Sequence, residues 1–330
     1  MSTDVSIVMV NYNTRDQTVD AVKSVLRERG DVSAQIIVVD NGSEDGSVEG
    51  LEDLRSTLPD PSVIDIVDAG ENLGFARAVN VGVERARGDY VLLLNPDTTM
   101  LEGSLPALVR FARANPQYGV FGGRTVRPDG GVEPSSCWGA PSLWSLTAFA
   151  LLLSTLFRQS RLFDPESLGT WPRDTIREVP IITGCLLLMA LNDFRAIGGM
   201  DEDFFLYGED AELSMRARAH GMTCIVYPPA TIVHTVGGSS TSTTKGAMVM
   251  AGKVTYLNKT WSPRRAAVGR ALLHTGVAAR AALEMATLRG HRPWGAVWRG
   301  RRDWAPGYPA ARAAIFGDSS RADDVSVAPA

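Results

Sequence analysis

Carboxylates stand at the ends of apolar segments, where many enzymes hold catalytic or ligand-binding residues. Asp97 follows the apolar run 90–94 across an Asn-Pro pair, and Asp40 directly follows the run 35–39. A short apolar run that ends at a breaker favours a strand buried on both faces, and ligands of open α/β sheets bind beyond the carboxyl ends of such strands. Asp97 could therefore act on a ligand, or Asn-Pro-Asp could be only a turn. Asp40 could accept a hydrogen bond from a base or ribose, or could form a local turn with the following Asn-Gly.

A second acidic group opens a predicted helix. Glu209 and Asp210 follow an aromatic run and a glycine, and the helical spacing after them ends at Gly221. A carboxylate kept basic by burial can act as a general base. The alternative is that Asp210 only caps the helix.

Two further segments could bind a phosphate. The stretch 72–77 (NLGFAR), with Asn80 one turn later, would open a helix whose free N–H groups and dipole favour an anion. His234 ends a predicted strand before a small-residue loop, 237–245, that could close over a ligand. This histidine could contact a metal or phosphate, or could be structural. No GxxxxGK[ST] motif occurs, so ATP hydrolysis of the P-loop type is not expected.

The elements that must position these residues alternate between strand and helix. Runs at 5–10, 35–39 and 63–67 each precede a polar turn and a helical or turn segment, which predicts a parallel, doubly wound sheet. The alternation stops after Gly131. The apolar stretch 142–157 is shorter than the roughly 20 residues that span a bilayer, so we expect a buried or interfacial helix there.

Composition sets the remaining limits. A chain of 330 residues with 45% hydrophobic side chains can bury a full core, and its three cysteines fit neither a disulfide framework nor a zinc site. The N-terminus shows no secretory signal, which predicts a reducing, cytoplasmic location.

Charge is uneven: residues 261–312 hold ten arginines against Glu284 and Asp303, whereas residues 1–260 hold 22 basic and 32 acidic side chains. With tryptophans nearby, the basic region could lie on anionic lipid or could pack on the main domain with a solvated face.

Five ordered motifs over about residues 4–245 resemble family 2 inverting glycosyltransferases of the GT-A fold. They are VSIVMVNYN, VVDNGSEDGS, ENLGFARAVNVG, LLLNPDTTM and GGMDEDFFLYGEDAELSMR. The resemblance implies an α/β fold with a mostly parallel, Rossmann-like central sheet flanked by helices, and a helical C-terminal extension. From the resemblance and from the charge pattern together, we expect 1–258 to be the catalytic domain, 259–315 a basic membrane-associating region and 316–330 a disordered tail.

The resemblance also implies roles for individual residues. Asp210 would be the catalytic base, with Glu209 beside it. Asp97 would ligate Mg²⁺ or Mn²⁺, with His234 as a further ligand, and Asn95 stands where the family's motif has its first acid. The residues implied to contact the nucleotide-sugar donor are Asn11, Tyr12, Asn13, Asp40, Asn41, Asn72, Gly74, Phe75, Asn80 and Asn95.

The NPD form of the acidic motif resembles the rhamnosyltransferase branch, which builds cell-wall, O-antigen or capsular polysaccharide. It implies dTDP-L-rhamnose, or alternatively a UDP-sugar, as donor and a polyprenyl-diphosphate-linked saccharide as acceptor. The expected location is the inner face of the plasma membrane, by peripheral contact, and no nucleic-acid partner is expected. A nucleotidyltransferase would need a glycine-rich basic loop after the first strand, which VNYNTRDQ lacks. A non-catalytic sugar-nucleotide-binding protein is the alternative outside enzymes.

Overall fold

The computed structural model describes residues 3–235, 243–287 and 293–316. The strands are β1 Thr3–Asn11, β2 Ala34–Asp40, β3 Ile64–Asp68, β4 Gly88–Leu94, β5 Thr98–Met100, β6 Gly119–Val126, β7 Val132–Glu133, β8 Cys137–Trp138, β9 Arg177–Glu178, β10 Ile181–Ile182, β11 Leu186–Ala190 and β12 Thr223–His234. The helices are α1 Arg15–Glu28, α2 Ser47–Ser56, α3 Phe75–Glu84, α4 Ser104–Ala114, α5 Leu143–Ala150, α6 Leu153–Leu156, α7 Leu191–Ala196, α8 Glu209–Ala219, α9 Thr243–Thr260, α10 Pro263–Ala286, α11 Pro293–Arg299, α12 Arg301–Trp304 and α13 Ala310–Phe316.

The central sheet has the order β3-β2-β1-β4-β11-β6-β12-β5. The first four strands are parallel, as the strand-helix alternation predicts. Beyond β4 the sheet is mixed, because β11 runs antiparallel to both β4 and β6 while β12 runs parallel to β6. The expected α/β fold with flanking helices is confirmed, and the parallel part is its N-terminal half.

Strand β1 shows why the sheet is covered on both faces. Neighbouring side chains of a strand point to opposite faces, and Val8 and Val10 join one core cluster while Ile7 and Met9 join another. Helix α3 packs on the first face and α1 on the second. Burial on both faces explains the continuous apolar runs of the sequence.

The stretch 142–157 is not one helix. Ser142 caps α5 with a reciprocal bond to Ser145, but Leu152 adopts a left-handed φ of 63° that separates α5 from α6. Leu146, Ala148 and Ala150 of α5 are buried, and the break leaves large apolar side chains exposed after this helix.

The C-terminal helices pack on the catalytic part of the chain. Leu273, Val277 and Trp304 belong to the core cluster that also contains the sheet residues Val8 and Leu93. Trp304, one of the tryptophans of the basic region, is fully buried, and its indole N–H donates to the Val297 carbonyl at 2.9 Å. Within the described residues, no helix is both long enough and apolar enough to cross a bilayer. The remainder of the predicted tail, 317–330, lies outside the described residues, as do 237–242 of the predicted loop.

Candidate active site

The ends of β1 and β2 form one polar cluster at the edge of the sheet. Asn11 and Asp40 are register partners and are both buried. Asn11 Nδ2 donates to Asp40 Oδ1 at 2.6 Å, and the Ser43 N–H donates to Asp40 Oδ2 at 2.8 Å. Thr18 Oγ1 donates to Asn11 Oδ1 at 2.6 Å. Asp40 thus forms the expected turn bonds, and these same bonds hold its carboxylate at the sheet edge.

A small hollow lies beside this cluster, on the side expected to receive the donor. Its lining is Val10, Tyr12, Asn41, Asn72, Gly74, Phe75, Phe205 and Leu206. Asn41 closes it by donating from Nδ2 to Asn72 Oδ1 and accepting from the Leu73 N–H, both at 2.9 Å. The hollow therefore joins five of the predicted donor residues, Tyr12, Asn41, Asn72, Gly74 and Phe75.

Gly74 allows the loop after β3 to reach the acidic segment. It has a φ of 83°, and a Cβ there would lie 2.6 Å from the Phe205 carbonyl oxygen. This contact lets the Phe75 N–H donate to that oxygen at 2.7 Å. The first N–H of α3 is therefore already bonded within the protein and is not open to the phosphate that the sequence suggested.

Asn13 and Asn80 have other partners. Asn13, with φ 52°, accepts from the Glu44 N–H through Oδ1, which fixes the turn after β1. Asn80 donates to the Met200 carbonyl and accepts from its N–H, both at 2.9 Å. The expected donor contact of Asn80 is not supported by this geometry, because its amide instead holds the segment that leads to Glu209.

Asp97 and His234 face each other in a buried site. Strand β12 pairs with β5 so that His234 lies opposite Thr98. His234 Nε2 is 3.2 Å from Asp97 Oδ1, and both side chains are almost fully buried. In the described part of the chain, neither atom makes a hydrogen bond of good geometry. The other ring nitrogen, Nδ1, is 3.3 Å from Ser135 Oγ.

These two atoms fit a divalent cation. A carboxylate oxygen and an imidazole nitrogen that converge without hydrogen-bond partners are both electron donors, and both ligate Mn²⁺-like ions. Among the described residues, no group of three His, Cys, Asp or Glu side chains could hold a metal. Any ion held here would need further oxygen ligands from outside the protein, such as phosphate or water.

A turn between β10 and β11 connects Asp97 with Asp210. Strand β11 pairs antiparallel with β4, and the Asn95 N–H donates to the Cys185 carbonyl at 3.4 Å. On the same turn, the Gly184 N–H donates to Asp210 Oδ2 at 3.4 Å. Burial, together with the negative charges of Asp210 and Asp97, raises the pKa of the Cys185 thiol to about 12. The metal candidate and the base candidate thus lie on either side of one short turn.

Glu209 and Asp210 have different surroundings. Asp210 is partly exposed and accepts from the Ala211 N–H at 2.7 Å as well as from Gly184. Glu209 is 1% exposed, and both its carboxylate oxygens lack a hydrogen-bond partner among the described atoms. Burial, and then the charge of Asp210, raises the pKa of Glu209 to about 8, while burial raises that of Asp210. Glu209 therefore stays protonated at neutral pH, and Asp210 is the carboxylate that can meet a ligand.

Asp210 opens onto a cavity of about 540 Å³. The cavity is walled largely by apolar side chains, including Trp138, Phe149 and Phe163, and Lys245 and Lys253 also line it. Lys253 pairs with Glu166 at 3.0 Å. This size falls within the range of small-molecule sites. Residues of the segment 131–177 supply a large part of the wall.

Sequence reasoning missed several residues that complete the site. Ser135 contacts His234, Thr183 Oγ1 donates to the Ser135 carbonyl at 2.6 Å, and Tyr207 lines the cavity beside Asp210. Ser135 and Thr183 stand in stretches without a chemical pattern, and only the β8–β10 pairing brings them together. Tyr207 stands next to the acidic pair, so its position in the aromatic run was an available signal.

Comparison with known proteins identifies the family. Residues 6–166 match the model of Glycosyl transferase family 2, and residues 174–236 match the N-terminal domain of galactosyltransferase. An N-acetylglucosaminyl-diphospho-decaprenol L-rhamnosyltransferase of Mycobacterium tuberculosis is 29% identical over 218 residues, which cover 60% of this chain and 66%, just under two thirds, of that protein.

Solved structures of glycosyltransferases share the fold. A mannosyltransferase from Pyrobaculum calidifontis in complex with GDP-Man and Mn²⁺ superposes with a TM-score of 0.57 at 18% identity, covering 96% of this chain and 84% of that one. GalNAc-T7 with UDP, GalNAc and Mn²⁺ superposes with a TM-score of 0.54 at 15% identity, covering 77% and 49%. The chain therefore belongs to glycosyltransferase family 2, is built on the GT-A fold and resembles the rhamnosyltransferase branch of that family.

Proposed function

We propose that this protein is an inverting glycosyltransferase of cell-wall or polysaccharide synthesis. In this proposal it transfers a sugar, L-rhamnose from dTDP-L-rhamnose, to a saccharide carried on a polyprenyl diphosphate. The observation that carries the proposal is the position of Asp210. It is the one member of a buried acidic pair that lines the large cavity, and it lies one turn away from the Asp97–His234 site.

The chemistry is a direct displacement. The acceptor hydroxyl in the cavity gives its proton to Asp210, and its oxygen bonds to the anomeric carbon as the bond to the nucleoside diphosphate breaks. Attack from the face opposite the leaving group inverts the anomeric configuration. A pKa that burial raises makes Asp210 a stronger base than an exposed aspartate, provided that it is ionised before the acceptor binds.

Asp97 and His234 are the residues that would hold Mg²⁺ or Mn²⁺. When bound, the ion would offset negative charge on the departing diphosphate. In this proposal the remaining donor contacts lie at the sheet edge. Asp40, held by Asn11, would accept from the base or ribose, and the hollow beside Tyr12 and Phe75 would receive the nucleoside.

The donor and acceptor have different support. The donor sugar rests on similarity to the mycobacterial rhamnosyltransferase, because no described contact selects a deoxysugar. The acceptor also rests on the cavity, whose apolar wall suits a ligand that brings part of a lipid with it. We propose peripheral contact with the inner face of the plasma membrane on the same basis.

The test is a donor screen with the purified full-length chain. Hydrolysis and transfer are measured with dTDP-rhamnose, UDP-sugars and GDP-sugars, with and without Mn²⁺, using a short polyprenyl-diphosphate-linked sugar as acceptor. We expect turnover with dTDP-rhamnose that Mn²⁺ increases and that Asp97→Ala lowers by orders of magnitude. Transfer from a UDP-sugar only would overturn the donor assignment, and near wild-type turnover in Asp97→Ala would overturn the role of Asp97.

A further inference from the structure

Residues 151–162, which we call the apolar loop, present large hydrophobic side chains to solvent. The exposed fractions are 61% for Leu151, 71% for Leu156, 50% for Phe157 and 59% for Leu162. Arg158 and Arg161, in the same loop, are also exposed. Exposed apolar groups concentrated in one segment mark a binding surface, because soluble proteins rarely leave such a patch uncovered.

A buried arginine anchors the base of this loop. Arg280 of α10 donates from Nη1 to the Phe149 carbonyl at 2.6 Å and from Nη2 to Thr155 Oγ1 at 2.7 Å. Its guanidinium carbon also lies 3.7 Å from the centre of the Phe149 ring. These contacts fix the turn between α5 and α6, so the exposed side chains beyond it project from a rigid support.

The loop is continuous with the wall of the active-site cavity. Ser154, within the loop, and Phe163, directly after it, line the same cavity as Asp210. A ligand that fills this cavity can therefore extend from the base candidate to the loop. We therefore expect the binding partner of the apolar loop to lie next to the ligand that enters the cavity.

We propose that the apolar loop inserts into an anionic lipid bilayer and holds the adjoining end of the cavity at the membrane surface. The proposal rests on the proposed function in one respect, since a lipid-carried acceptor is what makes this placement useful. Leucine and phenylalanine side chains enter the acyl boundary, and neighbouring arginines pair with anionic headgroups.

Charge favours a bilayer over a second copy of the chain. A symmetric contact between two copies would bring Arg158 and Arg161 of both copies to the same interface. Like charges brought together at an interface oppose association, whereas an anionic bilayer supplies the opposite charge. Arg280 and Trp304 of the basic C-terminal region are buried, so neither side chain can take part in a lipid-facing surface.

The experiment is co-flotation of the full-length protein with vesicles at low salt. One vesicle contains phosphatidylcholine with phosphatidylglycerol, and the other contains phosphatidylcholine alone. The variant is Leu156→Asp with Leu162→Asp, which spares Phe157 because its ring lies 5.0 Å from that of Phe163. Leu101→Asp, at a residue that is 37% exposed and far from the loop in sequence, is the matched control.

We expect the wild type and Leu101→Asp to float with the phosphatidylglycerol vesicles, and the loop variant to partition at least tenfold less. Arg158→Gln with Arg161→Gln should lower binding several-fold to these vesicles. Absence of wild-type flotation, or equal flotation of the loop variant, would overturn the proposal. A wild-type dimer in light scattering that the loop variant converts to monomer would also overturn it, in favour of a second copy.

Donor hydrolysis in detergent-free buffer separates this inference from the proposed function. If the loop inserts into lipid, the loop variant should hydrolyse donor at the wild-type rate while losing flotation. Loop-dependent flotation without any transfer activity would support the membrane surface and remove the proposed function. Transfer to the lipid-linked acceptor that does not depend on the loop would support the function and overturn the inference.

Discussion

Two neighbouring carboxylates, Glu209 and Asp210, differ in what they can reach. Asp210 lines the cavity, whereas Glu209 is enclosed and protonated at neutral pH. We predict that Asp210→Asn, which keeps the shape of the side chain, still binds nucleotide but loses transfer by at least a hundredfold, as general-base removal typically does. Glu209→Gln, which keeps the neutral form, should retain transfer near the wild-type level. The measurement is kcat for transfer together with nucleotide affinity for both variants. The assignment is reversed if Glu209→Gln abolishes transfer while Asp210→Asn is active.

The raised pKa of Glu209 should also make the stability of the folded protein depend on pH. Its pKa of about 8 in the folded protein lies above the ordinary value of 4.5, so the folded chain holds a proton that the unfolded chain releases. Stability is therefore lost as the pH rises from about 4.5 to about 8. Glu209→Gln cannot ionise and should escape this loss. We expect its gain in unfolding free energy over the wild type to grow from under about 1 kcal/mol at pH 5 to roughly 4 kcal/mol at pH 8, because each unit of pKa difference corresponds to about 1.4 kcal/mol. Denaturant unfolding at both pH values measures it, and a gain that does not change with pH would contradict the assignment.

At the scale of residues, the sequence predicts the acids better than their partners. Asp97, Asp40 and Asp210 can be found because each follows an apolar or aromatic run: Asp40 follows directly, Asp97 after an Asn-Pro pair and Asp210 after a glycine and Glu209. The contact of Asn80 with Met200 could not be predicted, because it joins residues 120 positions apart. The same holds for Ser135, whose contact with His234 depends on long-range pairing that no local pattern encodes.

Among the elements, α9 supports the turn that carries the acidic pair. A Cβ on Gly252 of α9 would lie 1.8 Å from the Tyr207 carbonyl oxygen, which is a backbone atom and cannot rotate away. We predict that Gly252→Ala displaces this turn and lowers both thermal stability and transfer, with a cost of about 1–3 kcal/mol typical of overpacking. Gly300→Ala is the control, because its φ is −78° and a Cβ there meets nothing closer than 3.4 Å. Thermal unfolding and kcat are compared for both variants. Equal behaviour of the two variants would show that the close approach of α9 does not matter.

Strands could be predicted from the sequence where they are buried along their whole length. The runs of β1 and β2 are buried along nearly their whole length, so an uninterrupted apolar pattern identifies them. The mixed half of the sheet was not predictable, because β11 and β12 take their directions from partners distant in the chain. The break between α5 and α6 at Leu152 could not be predicted for a different reason. A leucine in a left-handed conformation carries no sequence signal, and here the Arg280 contacts at the neighbouring residues stabilise the turn.

For the whole molecule, the uneven charge of the sequence has a structural explanation in part. The arginine-rich C-terminal helices are not a separate module, since Trp304 and Tyr308 lie in the core cluster that includes the acidic segment. Some of their arginines serve internal contacts: Arg265 stacks on Trp261 and Arg280 holds the α5–α6 turn. The boundary at 258/259 remains a prediction, and helix α9 continues through it to Thr260.

The last helix, α13, reaches back to the donor side of the site. Arg312 donates from Nη2 to the Asn72 carbonyl at 2.9 Å, and its guanidinium carbon lies 4.8 Å from the centre of the Phe205 ring. Asn72 and Phe205 both line the hollow expected to receive the nucleoside. The C-terminal end of the chain therefore braces the donor loop, which lies some 240 positions earlier in the sequence.

We predict that Arg312→Ala raises the KM for the donor about tenfold and leaves kcat nearly unchanged. A hydrogen bond from a charged donor contributes roughly 1.5 kcal/mol, which corresponds to about a tenfold change in affinity. The loss should fall on ground-state binding, because Arg312 contacts the loop and not the reacting atoms. Arg302→Ala removes the same charge from an exposed position of the same region and should leave KM unchanged. Initial rates over a range of donor concentrations decide between two effects. A rise in KM for both variants would assign the effect to net charge. A fall in kcat for Arg312→Ala alone would show that this arginine acts in the chemical step and not by supporting the donor loop.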